Sequence, residues 1–221
     1  MQLEIRDLVV ARGARRIIDQ LSFDVAAGEV WLLTGRNGAG KTTLIRTLAG
    51  YLSPVSGSIT LKGWDPERDP REACHYVGHL NADKASLTVL ENLRFWQAYL
   101  GGTTADDAAA RDRVWAALER LEIEPLADIP AGYLSAGQKR RLGLARLLVA
   151  ERPVWLLDEP TVSLDVQSTA LLARVIETHA AAGGLVVAAT HLALGLASAR
   201  ELRLGPTPHA AAEERTSGGP A

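Results

Sequence analysis

Hydrophobic and polar positions alternate along the first third of the chain, a pattern typical of short β-strands. Five such runs are separated by Gly, Pro or charged turns. Two apolar runs further along have the length of buried parallel strands. The predicted strands are Leu3–Val10, Leu21–Val25, Val30–Thr34, Ile59–Leu61, Cys74–Val77, Val154–Leu157 and Leu185–Ala189.

The middle of the chain repeats apolar residues at helical spacing. Thr88 and Glu91 form a capping box in front of an apolar stripe that ends near Leu100. Further helices are predicted over residues 105–121, 135–150 and 165–182. We therefore expect an α/β fold with an antiparallel, strand-rich start and a helical part at about residues 80–145.

One apolar stretch, Ala180–Ala199, is long enough to be considered as a membrane span. Gly183 and Gly184 interrupt it, and Thr190 and His191 lie at its centre. We interpret it instead as a buried strand followed by a short helix.

Composition narrows the possible functions. The chain has 221 residues, 47% of them hydrophobic, and a formal charge of −2, which argues against a protein that coats nucleic acid. Its one cysteine, Cys74, excludes an intramolecular disulfide and fits a reducing compartment. Residues 205–221 have no periodicity, and we expect a disordered tail. The remaining residues, 1–204, are expected to form a single domain.

A glycine-rich motif follows the third predicted strand and fits the phosphate-loop pattern G-x4-G-K-[ST]. Glycines let main-chain N–H groups curl around phosphates, lysine supplies a cation, and the threonine hydroxyl can bind Mg²⁺. The alternative is a glycine-rich turn with an incidental lysine. The predicted ATP-binding residues of this loop are Gly35, Arg36, Asn37, Gly38, Ala39, Gly40, Lys41, Thr42 and Thr43.

Two acids end the buried strand Val154–Leu157. Carboxylates at the carboxyl end of a parallel strand face the ligand crevice. We expect Asp158 to join Thr42 in binding Mg²⁺, and Glu159 to orient or deprotonate the attacking water. An ordinary polar strand exit is the alternative.

The segment Leu134–Gln138, which reads LSAGQ, opens the third predicted helix. Ser135 and Gln138 form a capping box, and a serine at a helix start can also contact phosphate. With the two motifs above, this segment resembles the signature LSGGQ of the ATP-binding cassette (ABC) ATPases, with Ala136 in place of a glycine. The resemblance extends from Leu3 to about Leu204.

The resemblance implies a P-loop NTPase fold and a head-to-tail homodimer that closes two ATP sites. It implies that Ser135, Gly137 and Gln138 contact the ATP of the opposite protomer, as would Asp165 in the loop Ser163–Asp165. It also implies that His191 is the switch histidine that touches the γ-phosphate and the water, and that Lys41, Glu159 and His191 carry the chemistry.

Two positions depart from the usual family pattern. Where an aromatic residue usually stacks on adenine, this chain has Arg12, whose guanidinium can also stack on a ring. Where a glutamine usually senses Mg²⁺ and the membrane partner, it has His79, which could bond a metal-bound water. An ordinary loop histidine remains the alternative at His79.

These departures, with the compact length, resemble the ATP-binding subunit of the cytochrome c maturation (heme exporter) complex. The resemblance implies peripheral attachment to the cytoplasmic face of the bacterial inner membrane, beneath separate transmembrane subunits. ATP hydrolysis would release a heme-loaded chaperone on the other side, so this chain would handle heme only through its partners. Cys74 and His75 point to opposite faces of a strand and are not expected to share a ligand.

Two other functions stay open at this stage. One is the ATPase subunit of another small exporter, with a drug, lipid or ion as cargo. The other is a non-transport cassette protein that works on nucleic acid. The basic cluster Lys139–Arg141 would matter for the second, but we interpret it as a solvated helix face and expect no nucleic-acid partner.

Overall fold

The computed structural model describes residues 1–101, 108–191, 194–196 and 198–205. Within those ranges, strands and α-helices follow one another in an α/β order. The strands are β1 (Gln2–Arg12), β2 (Arg15–Ala26), β3 (Val30–Thr34), β4 (Ser56–Lys62), β5 (Cys74–Val77), β6 (Val154–Asp158), β7 (Leu185–Ala189) and β8 (Arg200–Arg203). The helices are α1 (Lys41–Leu48), α2 (Val89–Gly101), α3 (Ala108–Arg120), α4 (Ala136–Ala145) and α5 (Val166–Ala181).

The strands form two sheets. An antiparallel sheet has the order β2-β1-β4, and a parallel sheet has the order β5-β6-β7-β3-β8. The strand-rich, antiparallel start and the buried parallel strands β6 and β7 are thus confirmed. This combination with surrounding helices is the predicted P-loop ATPase fold.

The central parallel strands β6 and β7 are buried on both faces, which explains their continuous apolar runs. On β6, Val154 and Leu156 face a core shared with α1 and the antiparallel sheet. Trp155 and Leu157 face a second core shared with the other helices. The alternation of side chains along a strand thus lets β6 join both cores.

The helices α2, α3 and α4 lie between β5 and β6 in the chain. The predicted capping box at α2 is present: the Thr88 main-chain N–H donates to Glu91 at 2.8 Å, and the Glu91 N–H donates to Thr88 Oγ1 at 3.1 Å. The helix predicted over residues 105–121 corresponds to α3, which buries an apolar stripe with Val114 and Leu118 at most 1% exposed. Local sequence signals therefore placed these two helices well.

The sequence missed two charged strand segments. β2 begins at Arg15, before the predicted Leu21, because its first residues pair with β1 while most of their side chains face solvent, with Ile18 buried. β8 was not predicted at all, since Arg200–Arg203 forms an edge strand with only part of one face covered. Edge strands carry charged residues, so hydrophobic patterning does not find them.

One predicted helix end and one predicted short helix were wrong. α4 ends at Ala145 rather than near Ala150, because the main-chain N–H groups of Leu147 and Leu148 bond three residues back in tighter turns. No helix follows β7 in residues 194–196 and 198–199, where a short one was expected. The tail prediction at 206–221 and the predicted helix start at 105–107 lie outside the described residues.

No helix within the described ranges combines the length and the apolar character needed to cross a membrane.

Candidate active site

The loop between β3 and α1 has a backbone that only glycine accommodates easily. Gly35, Gly38 and Gly40 have φ angles of 135°, 82° and 101°. A Cβ on Gly35 would lie 2.3 Å from the Leu204 carbonyl oxygen, and one on Gly40 would lie 2.8 Å from Ile17 Cγ2. Gly40 also precedes α1 without a side-chain cap, so the first amides of that helix can receive an anion.

Lys41 folds back over this loop. Its Nζ donates to the main-chain oxygen of Gly35 at 2.8 Å and to that of Arg36 at 3.4 Å, and the residue is only 6% exposed. A buried ammonium held by weak carbonyl acceptors is a strong binding group for phosphate oxygens. The structure therefore places the lysine inside the loop, where the motif requires it.

Thr42 and Asp158 come together at the end of the parallel sheet. Thr42 Oγ1 donates to Asp158 Oδ1 at 2.9 Å. Burial raises the pKa of Asp158, while the Thr42 hydrogen bond, Arg46 and His79 act in the opposite direction and Glu159 reinforces it. Because burial disfavours the charged form of the Asp158 carboxylate, a cation beside it would be stabilising.

These two oxygens fit a Mg²⁺ site that a nucleotide would complete. Mg²⁺ prefers oxygen ligands and usually takes one or two from protein, with the rest from phosphates and water. The described residues contain no group of three or more His, Cys, Asp or Glu side chains placed to hold a metal. Thr42 and Asp158 would supply two protein oxygens to a Mg²⁺ bound with a nucleotide.

Glu159 and His191 meet because β6 and β7 are neighbours. The Glu159 N–H donates to the Ala189 carbonyl at 2.8 Å, and His191 Nδ1 lies 2.8 Å from Glu159 Oε2. Glu159 has a left-handed backbone, with φ 50°, which is strained for a residue with a side chain. The carboxylate and the imidazole thus form one pair beside the Thr42–Asp158 contact.

The residues that depart from the family pattern lie in two places. His79 is exposed and follows β5, the strand that pairs with β6, so it leaves the same edge of the sheet as the acids. Arg12 is exposed at the end of β1, where it pairs with Arg15 across the hairpin. That hairpin approaches the phosphate loop through Ile17, which lies against Gly40.

The signature segment starts α4 as predicted. The Ser135 N–H donates to Gln138 Oε1 at 2.8 Å, and the Gln138 N–H donates to Ser135 Oγ at 3.3 Å. A Cβ on Gly137 would lie 3.1 Å from the Ser163 carbonyl oxygen, so the signature packs against the Ser163 loop. Asp165 then caps α5 by accepting from the Ser168 N–H at 2.7 Å, which lowers the pKa of Asp165.

Arg140 was misjudged from the sequence. The cluster Lys139–Arg141 is not a solvated face, because Arg140 is 2% exposed and Arg141 donates to the carbonyls of Leu121 and Glu122 at 3.3 and 3.0 Å. Arg140 instead donates hydrogen bonds to main-chain carbonyls of the segment Asp158–Pro160. Its helical spacing from Leu144 and Leu147, both buried, was the signal that could have revealed it.

A cleft of about 760 Å³ opens between the loop after β5 and helix α2. Aromatic side chains line it, and two of them, Tyr51 and Tyr99, are 68% and 71% exposed. Arg146 lies at its base, 7% exposed and 5.1 Å from the centre of the Trp96 ring. Burial lowers the pKa of Arg146 to about 10.

Two more arginines of the cleft bond to neutral oxygens. Arg46 donates to Tyr76 Oη at 3.4 Å, and Arg152 donates to the main-chain oxygens of Arg71, Cys74 and Leu100. The cleft is therefore aromatic, partly open and positively charged.

His75 and Cys74 border the cleft but take no part in the Thr42–Asp158 and Glu159–His191 pairs. His75 Nε2 lies 2.9 Å from the Ala150 carbonyl, and its ring packs edge-on against Trp155. Cys74 faces the other core and donates to the Pro70 carbonyl at 3.5 Å. As predicted, the two side chains point to opposite faces of β5.

A phosphate loop, two acids after a parallel strand, a histidine paired with the second acid and a capped LSAGQ helix together define an ABC ATPase. The family model described as ABC transporter matches residues 18–162, and the chain belongs to this family of ATP-binding proteins.

Within the family, the chain groups with proteins of one name, "Cytochrome c biogenesis ATP-binding export protein CcmA". It is 49% identical over 205 residues to the one from Rhodopseudomonas palustris (strain HaA2), covering 93% of this chain and 98% of that protein. It is 52% identical over 204 residues to the one from Paracoccus denitrificans, covering 92% of this chain and 89% of that protein.

Solved structures agree on the fold. An ATP-binding subunit of an ABC transporter has a TM-score of 0.81 at 24% identity, covering 99% of this chain and 95% of that one. A dimeric bacterial ABC transporter cassette has a TM-score of 0.80 at 22% identity, covering 91% of this chain and 94% of that one.

Proposed function

We propose that this chain is the ATP-hydrolysing subunit of the membrane complex that exports heme, or releases a heme-loaded chaperone, during cytochrome c maturation. The observation that carries the proposal is the set of ATPase motifs in a chain 49% identical, over 93% of its length, to a cytochrome c biogenesis ATP-binding export protein. The site supplies the energy, and the membrane partners define the cargo.

ATP would bind with its phosphates against the main-chain N–H groups of the loop from Gly35 to Gly40 and the first turn of α1. Lys41 would leave its carbonyl acceptors for the β- and γ-phosphate oxygens. Thr42 and Asp158 would hold Mg²⁺, which neutralises phosphate charge. Thr43 would contribute a further main-chain N–H.

Glu159 would orient the attacking water and accept its proton, and His191 would hold the Glu159 carboxylate and contact the γ-phosphate. The 2.8 Å contact between these two side chains supports this division of roles. Because phosphoryl transfer depends mostly on positioning and charge neutralisation, small displacements of either group should be costly.

The working form would be a homodimer. One phosphate loop and one signature segment per chain leave each nucleotide half enclosed, whereas two chains head to tail complete two sites. Ser135, Gly137 and Gln138 would contact the ATP of the opposite protomer, with Asp165 at the same boundary. The dimeric solved cassette of similar fold supports this arrangement.

Two less usual residues would complete nucleotide recognition. Arg12 would stack on the adenine through its guanidinium plane, from the hairpin that touches Gly40. His79 would bond a water of the Mg²⁺ shell, from the segment that directly follows β5, the neighbour of β6.

Residues 1–204 would act as one ATPase domain, with the helical part at about 80–145. It would attach peripherally to the cytoplasmic face of the bacterial inner membrane through the aromatic cleft. The cleft would receive a membrane-subunit segment that carries a carboxylate, since Arg46, Arg146 and Arg152 bond there to neutral oxygens and could pair with an acid.

Complementation tests the proposal. A bacterium that lacks its own ATPase subunit of cytochrome c maturation makes no heme-staining c-type cytochromes, and expression of this chain should restore them. The Glu159→Gln variant, expressed at the same level, should not. If the parent chain hydrolyses ATP in membranes but restores no cytochrome, it serves another exporter and the heme proposal is wrong.

A further inference from the structure

Arg140 donates hydrogen bonds to two segments around the acids, although no contact with the nucleotide is proposed for it. Its guanidinium donates to the carbonyl oxygens of Pro160 at 2.9 Å, Glu159 at 2.7 Å and Asp158 at 3.5 Å. It also donates to the Gly78 carbonyl at 2.8 Å and to Asn81 Oδ1 at 3.2 Å. One side chain of α4 therefore joins the segment after β6 to the segment after β5.

The acceptors of these bonds are all neutral oxygens. A buried arginine is usually compensated by a carboxylate, because burying a charge is costly. Here burial lowers the pKa of Arg140, and only the more distant charges of Asp158 and Glu159 oppose that effect. Arg140 is buried despite this cost, and in return its guanidinium holds the main-chain carbonyls of Asp158, Glu159 and Pro160.

Glu159 shows why. Its left-handed backbone, with φ 50°, is a conformation that a residue with a side chain adopts only when its surroundings hold it. Its N–H is held by the Ala189 carbonyl at 2.8 Å, and its own carbonyl is held by Arg140 at 2.7 Å. Both peptide groups that flank the Glu159 side chain are thus fixed, and the Glu159 carboxylate is aimed at His191.

The other two bonds reach the segment that carries His79. Gly78 and Asn81 flank that residue, and α4 packs on the segment directly, since a Cβ on Gly143 would lie 3.1 Å from Asn81 Cβ. The same helix begins at Ser135, in the signature segment. Arg140 therefore connects the start of α4 to both groups of residues that face Mg²⁺ and water in the proposed function.

We propose that Arg140 is a positioning residue for ATP hydrolysis: from the signature helix, it fixes the main chain of Glu159 and joins it to the His79 segment. The inference rests on the proposed ATPase activity. It predicts that loss of Arg140 impairs the chemical step through Glu159 while leaving ATP binding intact.

The neighbouring Arg141 supplies a matched control. It lies on the same helix, is half-buried where Arg140 is fully buried, and also donates to main-chain carbonyls, but those of Leu121 and Glu122. Arg140→Gln and Arg141→Gln remove the same charge and the same donors from one helix. Their melting temperatures report whether each variant folds.

The experiment measures single-turnover ATP hydrolysis and ATP affinity in the complex purified with its membrane subunits. Arg140→Gln should lower the hydrolysis rate about 100-fold, the effect of a displacement of about 1 Å at a reacting group, with ATP affinity unchanged. Arg141→Gln should hydrolyse ATP at the parental rate. Arg140→Lys, with one cationic centre in place of a fork, should recover only part of the rate.

A double-mutant cycle separates positioning from mere structure. If Arg140 acts through Glu159, adding Arg140→Gln to Glu159→Gln should not lower the residual rate further. A further fall equal to that of Arg140→Gln alone, or a parental rate in Arg140→Gln, would overturn the inference while leaving the proposed function intact. Absence of hydrolysis in the parent complex would instead contradict the proposed function.

Discussion

The hydroxyl of Thr42 donates a 2.9 Å hydrogen bond to the carboxylate of Asp158, across 116 residues of chain. The bond joins the first turn of α1 to the end of β6, two elements that share a core through Leu44 and Leu156. The contact brings together the two oxygens expected to hold Mg²⁺, so it ties metal binding to the relative placement of the phosphate loop and the central strand.

Replacing Asp158 should separate stability from activity. Asp158→Asn removes a carboxylate whose pKa is raised by burial, so the unfolding free energy of the nucleotide-free protein should increase near pH 7. The increase should shrink as the pH falls and vanish below 3.8, the ordinary aspartate pKa, where Asp158 is protonated in both the folded and the unfolded state. Urea unfolding at several pH values measures this.

The same variant should hydrolyse Mg-ATP at least about 100-fold more slowly, because it loses a metal ligand worth several kcal/mol. A variant that is less stable than the parent at neutral pH, or one that keeps its activity, would contradict this assignment of Asp158.

Glu159→Gln should preserve ATP binding and trap an ATP-bound dimer, because the amide cannot accept the proton of the attacking water. Hydrolysis should fall about 100-fold or more. Size-exclusion chromatography with ATP measures the dimer. Glu151→Gln, at an exposed acid of the loop before β6, is the matched control and should hydrolyse ATP at the parental rate without accumulating the dimer. Hydrolysis by Glu159→Gln at the parental rate would show that Glu159 is not the base.

Comparing the capping boxes at Ser135 and Thr88 tests whether Ser135 only caps its helix or also binds phosphate. Ser135→Ala and Thr88→Ala each remove one N-cap bond, and each should cost about 1 kcal/mol in unfolding free energy. Only Ser135→Ala should also weaken ATP-dependent dimerisation and hydrolysis, since Thr88 lies outside the proposed nucleotide contacts. Equal activity in the two variants would leave Ser135 a cap alone.

Buried His75 should make the fold sensitive to acid. Burial lowers the pKa of His75 to about 3, from 6.5. Below pH 6.5 the unfolded chain takes up a proton that the folded chain refuses, so stability falls as the pH drops from 6.5 toward 3. His75→Gln should flatten this dependence in urea unfolding, and an unchanged pH dependence would show that His75 is not its source.

The aromatic cleft gives a prediction about assembly. Tyr51→Ser and Tyr99→Ser alter exposed rings at its rim, so both variants should fold normally but co-purify poorly with the membrane subunits. Val55→Ser, at an apolar residue that is 68% exposed and does not line the cleft, is the control. Normal co-purification of both tyrosine variants would place the membrane contact elsewhere.

The amino-acid sequence by itself determined the local motifs of this protein. The glycine spacing from Gly35 to Gly40 requires left-handed turns, and the boxes at Thr88 and Ser135 close within three residues, so each was recognisable without any long-range contact. The buried strands β6 and β7 were equally clear, because burial on both faces leaves a continuous apolar run.

Only the tertiary structure decided which of these motifs come into contact. Strand order places β6 beside β7, and that pairing alone brings Glu159 to His191. The charged edge strand β8 and the buried Arg140 were misread, because charge normally indicates solvent. Whether an arginine faces water or carbonyl oxygens depends on what packs against its helix, and no local sequence pattern contains that information.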